Sequence, residues 1–420
     1  MLWSLPTFPS AMEVPEAGEI VATSDVHVTL LQDTLYVGSV PAGELQAAAY
    51  PLLKAIIAVP RDTAGLFSFT QEEDGLTLVM DDRCRAAFDE LGEASPVTYA
   101  PHKWRAFEIH LGTLAWEVPG VVAFLSTSLA ESAVSLLNIT SSDRDYLLVA
   151  EADVAAAAEA IRERLQHDVD GLREAVLEVR RSHSEARSPS VRASGTNLAE
   201  ELSAAVAAEA AAKAEAEAPD GRAAAPSGTR AAGLTPRTSG DGDGGALGAT
   251  LERTMSSTCK LSDAAGESGG ELYVKVLAAR LLVVRLQLAL LPQSTHAIIT
   301  RLLFSRRSAR SFWSYTHTDA EISLIVEEEV LPTFPPDAIV GASTVWRAVK
   351  LCGRSFAFDE TGVVSAMYAP HEAGVHLLNI STFATNFSLV EETDLERALA
   401  AFEVPHRLEE PWDDDDPDEV

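Results

Sequence analysis

Several residue groups in this chain have types and spacings that suggest chemistry, and each lacks a feature that the chemistry needs. His371 and His376 end the segment HEAGVH, which is one residue longer than HExxH, so the two imidazoles would not share a helix face around a zinc ion. GESGG at 266–270 matches the GxSxG pattern of a serine nucleophile but follows no strand. GDGDGG at 240–245 lacks the strand and the Lys-Ser/Thr of a phosphate-binding loop. The sequence therefore predicts no enzyme, no metal site and no cofactor.

Composition and charge narrow the classes of partner. The 420 residues suffice for two or three domains, and 47% hydrophobic with 23% charged residues is typical of a globular protein. The net charge of −31 argues against nucleic acid and anionic membranes, which bind clustered Lys and Arg. The most apolar stretch, 281–291, is too short to span a bilayer and contains Arg285.

The cysteines and the N-terminal segment indicate a compartment. Cys84, Cys259 and Cys352 lie far apart and form no CxxC, which is consistent with a reducing environment. The N-terminal segment has no basic region followed by an apolar core, so no signal peptide is expected. A cytoplasmic location is therefore predicted.

The most informative pattern is an internal duplication. KWRAFEI at 103–109 matches VWRAVKL at 345–351, and the segments GVV and LLNI each occur twice in the same order. The spacing is nearly constant, because Trp104 and Trp346 are 242 residues apart and Asn138 and Asn379 are 241 apart. Several matched blocks at one spacing indicate two copies of one fold.

Between the copies the composition changes to Ala, Glu, Ser and Gly with almost no aromatic residues. Such a segment cannot bury enough apolar surface to fold, so it is expected to be a largely disordered linker. The acidic end of the chain is expected to be disordered because its charges repel one another. The predicted division is a first half at 22–165, a linker at 166–271, a second half at 272–405 and a tail at 406–420.

Strand and helix patterns alternate within each half. In the first, residues 44–58 have the apolar spacing of a helix, and a hairpin is predicted around EEDG at 72–75. GVVAFL at 120–125 is expected to be a strand leading into a helix, and 134–139 and 146–151 are expected to pair as closing strands. This order predicts two overlapping β-α-β-β-α-β units per half, hence an α+β fold with helices on one face of antiparallel sheets.

The second half resembles a known family. The segment GVVSAMYAPHEAGVHLLNISTFATNFSLVEETDL at 362–395, with FDETGVV at 358–364, is similar to the CASTOR-type ACT domain of cytosolic arginine sensors of the TOR pathway and of small bacterial ACT proteins. Residues 297–329 resemble the opening ACT unit of that family, and the first half shows the same pattern more weakly. The resemblance implies four ferredoxin-like ACT units, two per half, with an amino acid held between units of the two halves.

The resemblance also implies which residues bind the ligand. The family uses a glycine-containing loop, here 357–363, whose backbone approaches the amino acid closely. The arginine sensors carry Asp where this chain has Asn386 and Ser where it has Phe124, so arginine is one candidate ligand among the amino acids. The first half retains an acid, Asp145, at the position equivalent to Asn386. The residues carried over as ligand-binding are Glu360, Thr361, Gly362, Val363, Thr382, Phe383, Asn386, Phe124 and Leu125.

The resemblance implies a non-catalytic amino-acid sensor that relays nutrient state to a protein partner. Within the family that partner is the GATOR complex upstream of TOR, and a homodimer is a further expected assembly. Two alternatives remain open at this point. One is a scaffold whose ACT units only pair with each other or with a second copy of the chain, and the other is a regulatory portion related to amino-acid-biosynthetic enzymes.

Overall fold

The computed structural model describes residues 18–22, 26–59, 65–110, 120–167, 271–304, 312–341 and 344–409, all within one compact unit. Apart from its ends, the linker predicted at 166–271 lies outside the described residues, as does the tail beyond 409. No helix in the described ranges is long and apolar enough to cross a membrane.

The first half alternates short strands and helices. Helix α2 is capped at its N-terminus, since the Asp81 carboxylate accepts a hydrogen bond of 2.8 Å from the Cys84 backbone N–H. The elements are β1 (Gly18–Ala22), β2 (His27–Leu30), β3 (Leu35–Pro41), α1 (Ala49–Leu53), β4 (Phe67–Glu72), β5 (Gly75–Asp81), α2 (Asp82–Asp89), β6 (Thr98–Tyr99), β7 (Trp104–His110), α3 (Gly120–Glu131), β8 (Leu137–Thr140), β9 (Arg144–Ala150) and α4 (Val154–His167).

Apart from β1, which pairs with β2, the strands form two four-stranded antiparallel units. The first runs β3-α1-β4-β5-α2-β6 with the strand order β6–β3–β5–β4, which is the predicted β-α-β-β-α-β arrangement. The second runs β7-α3-β8-β9-α4 with the order β2–β7–β9–β8. Its fourth position is filled by β2, which precedes the first unit in the chain. The two units overlap because β2 and β3 follow each other directly.

The strand predicted at 120–125 is wrong, since this segment begins helix α3. Every residue from Gly120 to Leu129 is buried. The helix therefore has no exposed polar face, and its sequence lacks the 3.6-residue alternation of polar and apolar residues that predicts a helix. A short apolar run with β-branched residues fits a buried strand and a buried helix equally well.

The second half repeats this plan with one long strand. The elements are β10 (Tyr273–Leu286), α5 (Leu291–Ile299), β11 (Trp313–His317), β12 (Ile322–Glu327), β13 (Ile339–Gly341), β14 (Trp346–Cys352), α6 (Val363–Met367), α7 (Ala369–Glu372), β15 (Leu377–Ser381), β16 (Asn386–Glu391), α8 (Leu395–Ala401) and β17 (His406–Leu408). Strand β10 pairs with β12 and β13 in the third unit and with β14 in the fourth. This one strand therefore belongs to both units, whereas in the first half β3 belongs to the first unit and β2 to the second.

The two halves meet in two places. Strands β4 and β11 pair antiparallel, which joins the first and third units into one eight-stranded sheet, and Ser68 donates to or accepts from Thr316 across this join at 2.9 Å. The second and fourth units share a hydrophobic core that contains residues of both halves. Within that core the Thr127 hydroxyl on α3 lies 2.9 Å from the Ser365 hydroxyl on α6. The prediction of four units in two duplicated halves is confirmed.

Candidate functional site

The edge strands β8 and β15 face each other where the second and fourth units meet. The Asn138 backbone N–H donates to Ser381 Oγ (2.9 Å), and the Asn138 side-chain amide donates to the Asn379 carbonyl oxygen (2.7 Å). The Thr140 hydroxyl donates to the same carbonyl (2.8 Å). Because Asn138 and Asn379 are the repeated asparagines of the two LLNI blocks, this seam lies between equivalent strands of the two halves.

A cavity of about 30 Å³ lies in the seam. Its volume corresponds to two or three water molecules, on the basis of roughly 10–15 Å³ for each. Next to it lies an open groove of about 440 Å³, which is within the size range of small-molecule sites. The two spaces share the walls Phe356, Ala357, Phe358 and Phe383. The cavity is lined by Leu136, Leu137, Phe356, Ala357, Phe358, Glu360, Val363, Val364, Ser381, Thr382, Phe383, Thr385 and Asn386.

The loop between β14 and α6 forms one wall of both spaces. It ends at Gly362, whose φ of 81° is in the left-handed region that glycine adopts without strain, and α6 starts at the next residue. The loop is fixed at two points: the Phe356 N–H donates to the Ala384 carbonyl (3.1 Å), and the Ser135 hydroxyl of the first half donates to the Phe358 carbonyl (2.8 Å). The loop therefore bridges the two halves.

Arg354 and Glu360 form an ion pair within this loop. The Arg354 Nη1 donates to Glu360 Oε2 at 2.8 Å, and its Nη2 donates to the other carboxylate oxygen. The guanidinium also lies 4.2 Å from the centre of the Phe356 ring. The hydrogen bonds from Arg354 hold the pKa of Glu360 below its usual value, so Glu360 is ionised at neutral pH.

The hairpin between β15 and β16 forms the opposite wall. The Thr382 N–H donates to the Thr385 carbonyl (2.8 Å), which closes the turn, and the Phe383 N–H donates to Thr77 Oγ1 of the first unit (2.9 Å). At the end of the hairpin the buried Asn386 amide donates to Ser381 Oγ (2.9 Å) and exchanges two hydrogen bonds with Asn379.

The structure brings together most of the residues carried over from the resemblance. Gly362 forms the turn that leads from the loop into α6, while the Thr361 side chain is exposed and does not line the cavity. Phe124 and Leu125 are buried in the shared core on α3 and line neither space; the Phe124 ring lies under the Arg164 guanidinium instead. The predicted residues that line the cavity are Glu360, Val363, Thr382, Phe383 and Asn386.

Sequence reasoning missed three features of this site. Leu136 and Leu137 contribute the wall from the first half, and their only signal was the repeated LLNI block. Phe356 and Phe358 separate the cavity from the groove. Arg354, the partner of Glu360, belongs to no recognisable motif.

The equivalent hairpin of the first half is built differently. Asp145, which corresponds to Asn386, accepts a hydrogen bond from the Thr140 hydroxyl (2.6 Å) and does not line the cavity. Burial raises the pKa of Asp145 to about 6. At the hairpin turn, the Ser141 hydroxyl donates to Glu321 Oε1 of the third unit (2.8 Å), and Arg285 pairs with the same carboxylate (2.8 Å).

In the second half, a buried lysine on β14 contacts the first half. The Lys350 ammonium contacts Glu72, Glu73 and Asp74 of the β4–β5 turn at 2.8, 3.0 and 2.9 Å. Burial alone would lower the pKa of Lys350, but the three carboxylates outweigh it and raise the pKa. Charged groups thus tie the β8–β9 turn and strand β14 to the opposite half, and the β15–β16 hairpin, held through Phe383 and Thr77, lines the cavity.

Comparison with known proteins identifies the domain type. The ACT domain family model matches residues 99–163 and 342–403, which contain most of the second and fourth units. The human protein named cytosolic arginine sensor for mTORC1 subunit 1 is 34% identical over 107 residues, which are 24% of this chain and 32% of the sensor. The chain thus matches about a third of the length of this curated relative.

Two bacterial proteins are among the solved structures that match part of this chain. Protein Atu0741 from Agobacterium tumefaciens is 26% identical, with coverage of 34% of this chain and 97% of that chain and a TM-score of 0.25. The regulatory subunit of aspartate kinase from Thermus flavus is 16% identical, with coverage of 34% and 99% and a TM-score of 0.26. The family matches show that the chain carries two ACT domains and resembles the cytosolic arginine sensors.

Proposed function

We propose that this chain, in which two ACT domains meet along a seam, is a non-catalytic cytoplasmic sensor that binds a free amino acid in that seam. The observation that carries the proposal is Glu360, which lines a cavity between the two halves and is held ionised by Arg354. A free amino acid carries one ammonium and one carboxylate. Glu360 accepts hydrogen bonds from the ammonium, and Arg354, which lines neither space, keeps the Glu360 carboxylate ionised and in position through its two hydrogen bonds.

The ligand requires the seam to open, because about 30 Å³ is too small for an amino acid. The space becomes available when the rings of Phe356, Phe358 and Phe383 move and join the cavity to the groove. Binding therefore selects between a closed and an open seam, and it shifts their populations only by its different affinity for the two states.

The loop and hairpin that move are fixed to the first half through Ser135 and Thr77, so the shift changes the outer surface that both halves present. A protein partner that binds this surface would therefore bind differently when the amino acid is present. The human relative's name places it in mTORC1 signalling, and we propose a GATOR-type complex as the corresponding partner class for this chain.

The first experiment is a thermal-shift screen of the full chain with each of the twenty standard amino acids at millimolar concentration. A ligand at about 100 times its dissociation constant stabilises the protein by roughly 2.7 kcal/mol, which is readily seen as a higher melting temperature. We expect at least one amino acid to raise the melting temperature. No response to any of them would favour a scaffold that binds no small molecule.

Glu360→Ala should abolish this response and leave the melting temperature of the ligand-free protein nearly unchanged, since partly exposed ion pairs contribute little to stability. Asp359→Ala is the matched control, because Asp359 is the adjacent acid but is exposed and does not line the cavity. It should retain the response. An equal drop in the ligand-free melting temperature and in the response to ligand would show that Glu360 is structural.

A further inference from the structure

Three polar residues of the first half have equivalents in the second half, and both sets lie on the strands that form the seam. The first set is Asn138, Thr140 and Asp145, and the equivalents 241 residues later are Asn379, Ser381 and Asn386. The sets differ in the charge of their last member. The Asn386 amide always has protons to donate, whereas the Asp145 carboxyl donates only when it is neutral.

The Thr140 hydroxyl has more close acceptors than protons. Its oxygen lies 2.6 Å from Asp145 Oδ1 and 2.8 Å from the Asn379 carbonyl oxygen, and both are full hydrogen-bond distances. A hydroxyl has one proton and a carbonyl oxygen has none. Thr140 is buried, so solvent does not supply a second proton. Both contacts therefore hold at the same time only when the Asp145 carboxyl carries a proton and donates it to Thr140.

The second half shows the same bond with an amide in place of the acid. The Asn386 side-chain amide donates to Ser381 Oγ at 2.9 Å. A neutral Asp145 makes the matching bond to Thr140 Oγ1. The Thr140 oxygen accepts a further, longer hydrogen bond from the Asn138 side-chain amide at 3.2 Å. With Asp145 protonated, each of these contacts has a donor and an acceptor.

The surroundings of Asp145 permit this proton to leave near neutral pH. Among the described residues, His376 before β15 and Tyr368 between α6 and α7 are the titratable groups of the second half that face it. On its own sheet, the neighbouring Arg144 is bonded to Glu108. Burial raises the pKa of Asp145 to about 6, although the charge of His376 acts in the opposite direction. The carboxyl therefore changes its protonation between about pH 5 and pH 7.

We infer that the proton on Asp145 controls how firmly the two halves are joined at the seam. With the proton present, Thr140 donates to the Asn379 carbonyl of the opposite half. When the proton leaves, the Thr140 hydroxyl donates to the Asp145 carboxylate instead, because a charge-assisted hydrogen bond is stronger than a neutral one. One hydrogen bond between the halves is thereby exchanged for one within the first half, and the seam opens more easily as pH rises.

This property belongs to the ligand-free protein and does not depend on the proposed function. Where an amino acid binds in the seam, the easier opening at higher pH would favour its entry. A measurement without ligand therefore tests the inference separately from the thermal-shift screen.

Amide hydrogen exchange of the full, ligand-free chain at pH 5 and pH 7 is that measurement. The probe is the Asn138 N–H, which donates to Ser381 across the seam and exchanges when the seam opens. Its protection factor, which removes the intrinsic effect of pH on exchange, should fall by about tenfold from pH 5 to pH 7. This size follows if the pKa of Asp145 returns to about 4 in the open seam. Equal protection at the two pH values would overturn the inference.

Asp145→Asn gives Thr140 a permanent donor, as the amide does in the second half. The Asn138 N–H of this variant should be equally protected at pH 5 and pH 7, at the level of the original protein at pH 5. A tenfold fall that persists in Asp145→Asn would show that another group carries the proton and would overturn the inference.

His376→Gln is the matched control, because it removes the titratable imidazole that faces Asp145 and leaves the carboxyl in place. It should keep the fall in protection between pH 5 and pH 7, and loss of the fall would assign the effect to His376 instead. The comparison also cancels the buried carboxyl pair of Asp143 and Glu321, which is the same in all these proteins.

If Asp145→Asn does not fold, Thr140→Ala serves in its place. This variant has no hydroxyl to exchange between the two acceptors, so the protection of the Asn138 N–H should be low at both pH values. A pH dependence equal to that of the original protein would mean that Thr140 does not relay the proton, and the inference would fail.

Discussion

Trp104→Ala is expected to lower the free energy of unfolding by about 3–5 kcal/mol, the usual cost of truncating a fully buried tryptophan. The ring is completely buried in the cluster between the two sheets of the first half. It also supports the ligand loop of the second half, because it packs edge-on against Phe358 with 5.7 Å between ring centres. We therefore expect amino-acid affinity to fall by about two- to tenfold, the equivalent of one lost aromatic pair.

Trp346→Ala is the matched control for this prediction. Trp346 occupies the equivalent position in the second half and is equally buried, but its ring packs against His376 at 5.4 Å rather than against the loop. Denaturant unfolding should show a similar loss of stability, while calorimetry should show unchanged affinity. Equal loss of affinity in both variants would mean that Trp104 acts through global stability alone.

The Asp143–Glu321 carboxyl pair is expected to make stability depend on pH near neutrality. Burial, and then the nearby Glu321, raise the pKa of Asp143 to about 7. Burial alone would raise the pKa of Glu321 too, but hydrogen bonds from Asp143, Ser142 and Ser141, together with Arg285, lower it. The two carboxyls therefore share one proton, carried by Asp143.

The direction of this pH dependence follows from the raised pKa of Asp143. The folded state binds this proton more tightly than the unfolded chain, so its contribution to stability is complete below about pH 4 and is lost as pH rises through about 7. Asp143→Asn supplies a permanent donor to Glu321 in place of the proton. We expect the variant to be more stable than the original protein by about 1–3 kcal/mol at pH 8, with the difference decreasing as pH falls and vanishing toward pH 4.

Denaturant titrations at several pH values measure this difference, with Asp319→Asn as the control because Asp319 is an exposed acid on the same β11–β12 turn. The control should follow the pH profile of the original protein. An Asp143→Asn profile parallel to the original would mean that Asp143 is ionised throughout this range.

The duplication and most of the order of strands and helices could be predicted from the sequence, because both depend on local patterns of residue types. The hairpin at EEDG is such a case, since Gly75 has a φ of 143° and an alternating strand lies on each side. The sequence could not show that β2 supplies the fourth strand of the second unit. That pairing depends on contacts between residues about eighty positions apart, such as Val28 and Ile109.

The site was predictable to the extent that it lies in the second half. Glu360, Phe383 and Asn386 belong to segments that keep the family pattern, and all three line the cavity. Leu136 and Leu137 could not be placed there without knowing how β8 docks on β15. Phe124, carried over from the resemblance, lies on a helix in the shared core and lines neither the cavity nor the groove.

The most direct test of the central claim, that an amino acid lodges in the seam between the halves, is amide hydrogen exchange of the full chain with and without the amino acid that raises its melting temperature. We predict slower exchange in the loop at 354–364, in the hairpin at 381–386 and in Leu136–Asn138 of the opposite half. Slower exchange confined to other segments, or a raised melting temperature with unchanged exchange across this seam, would contradict it.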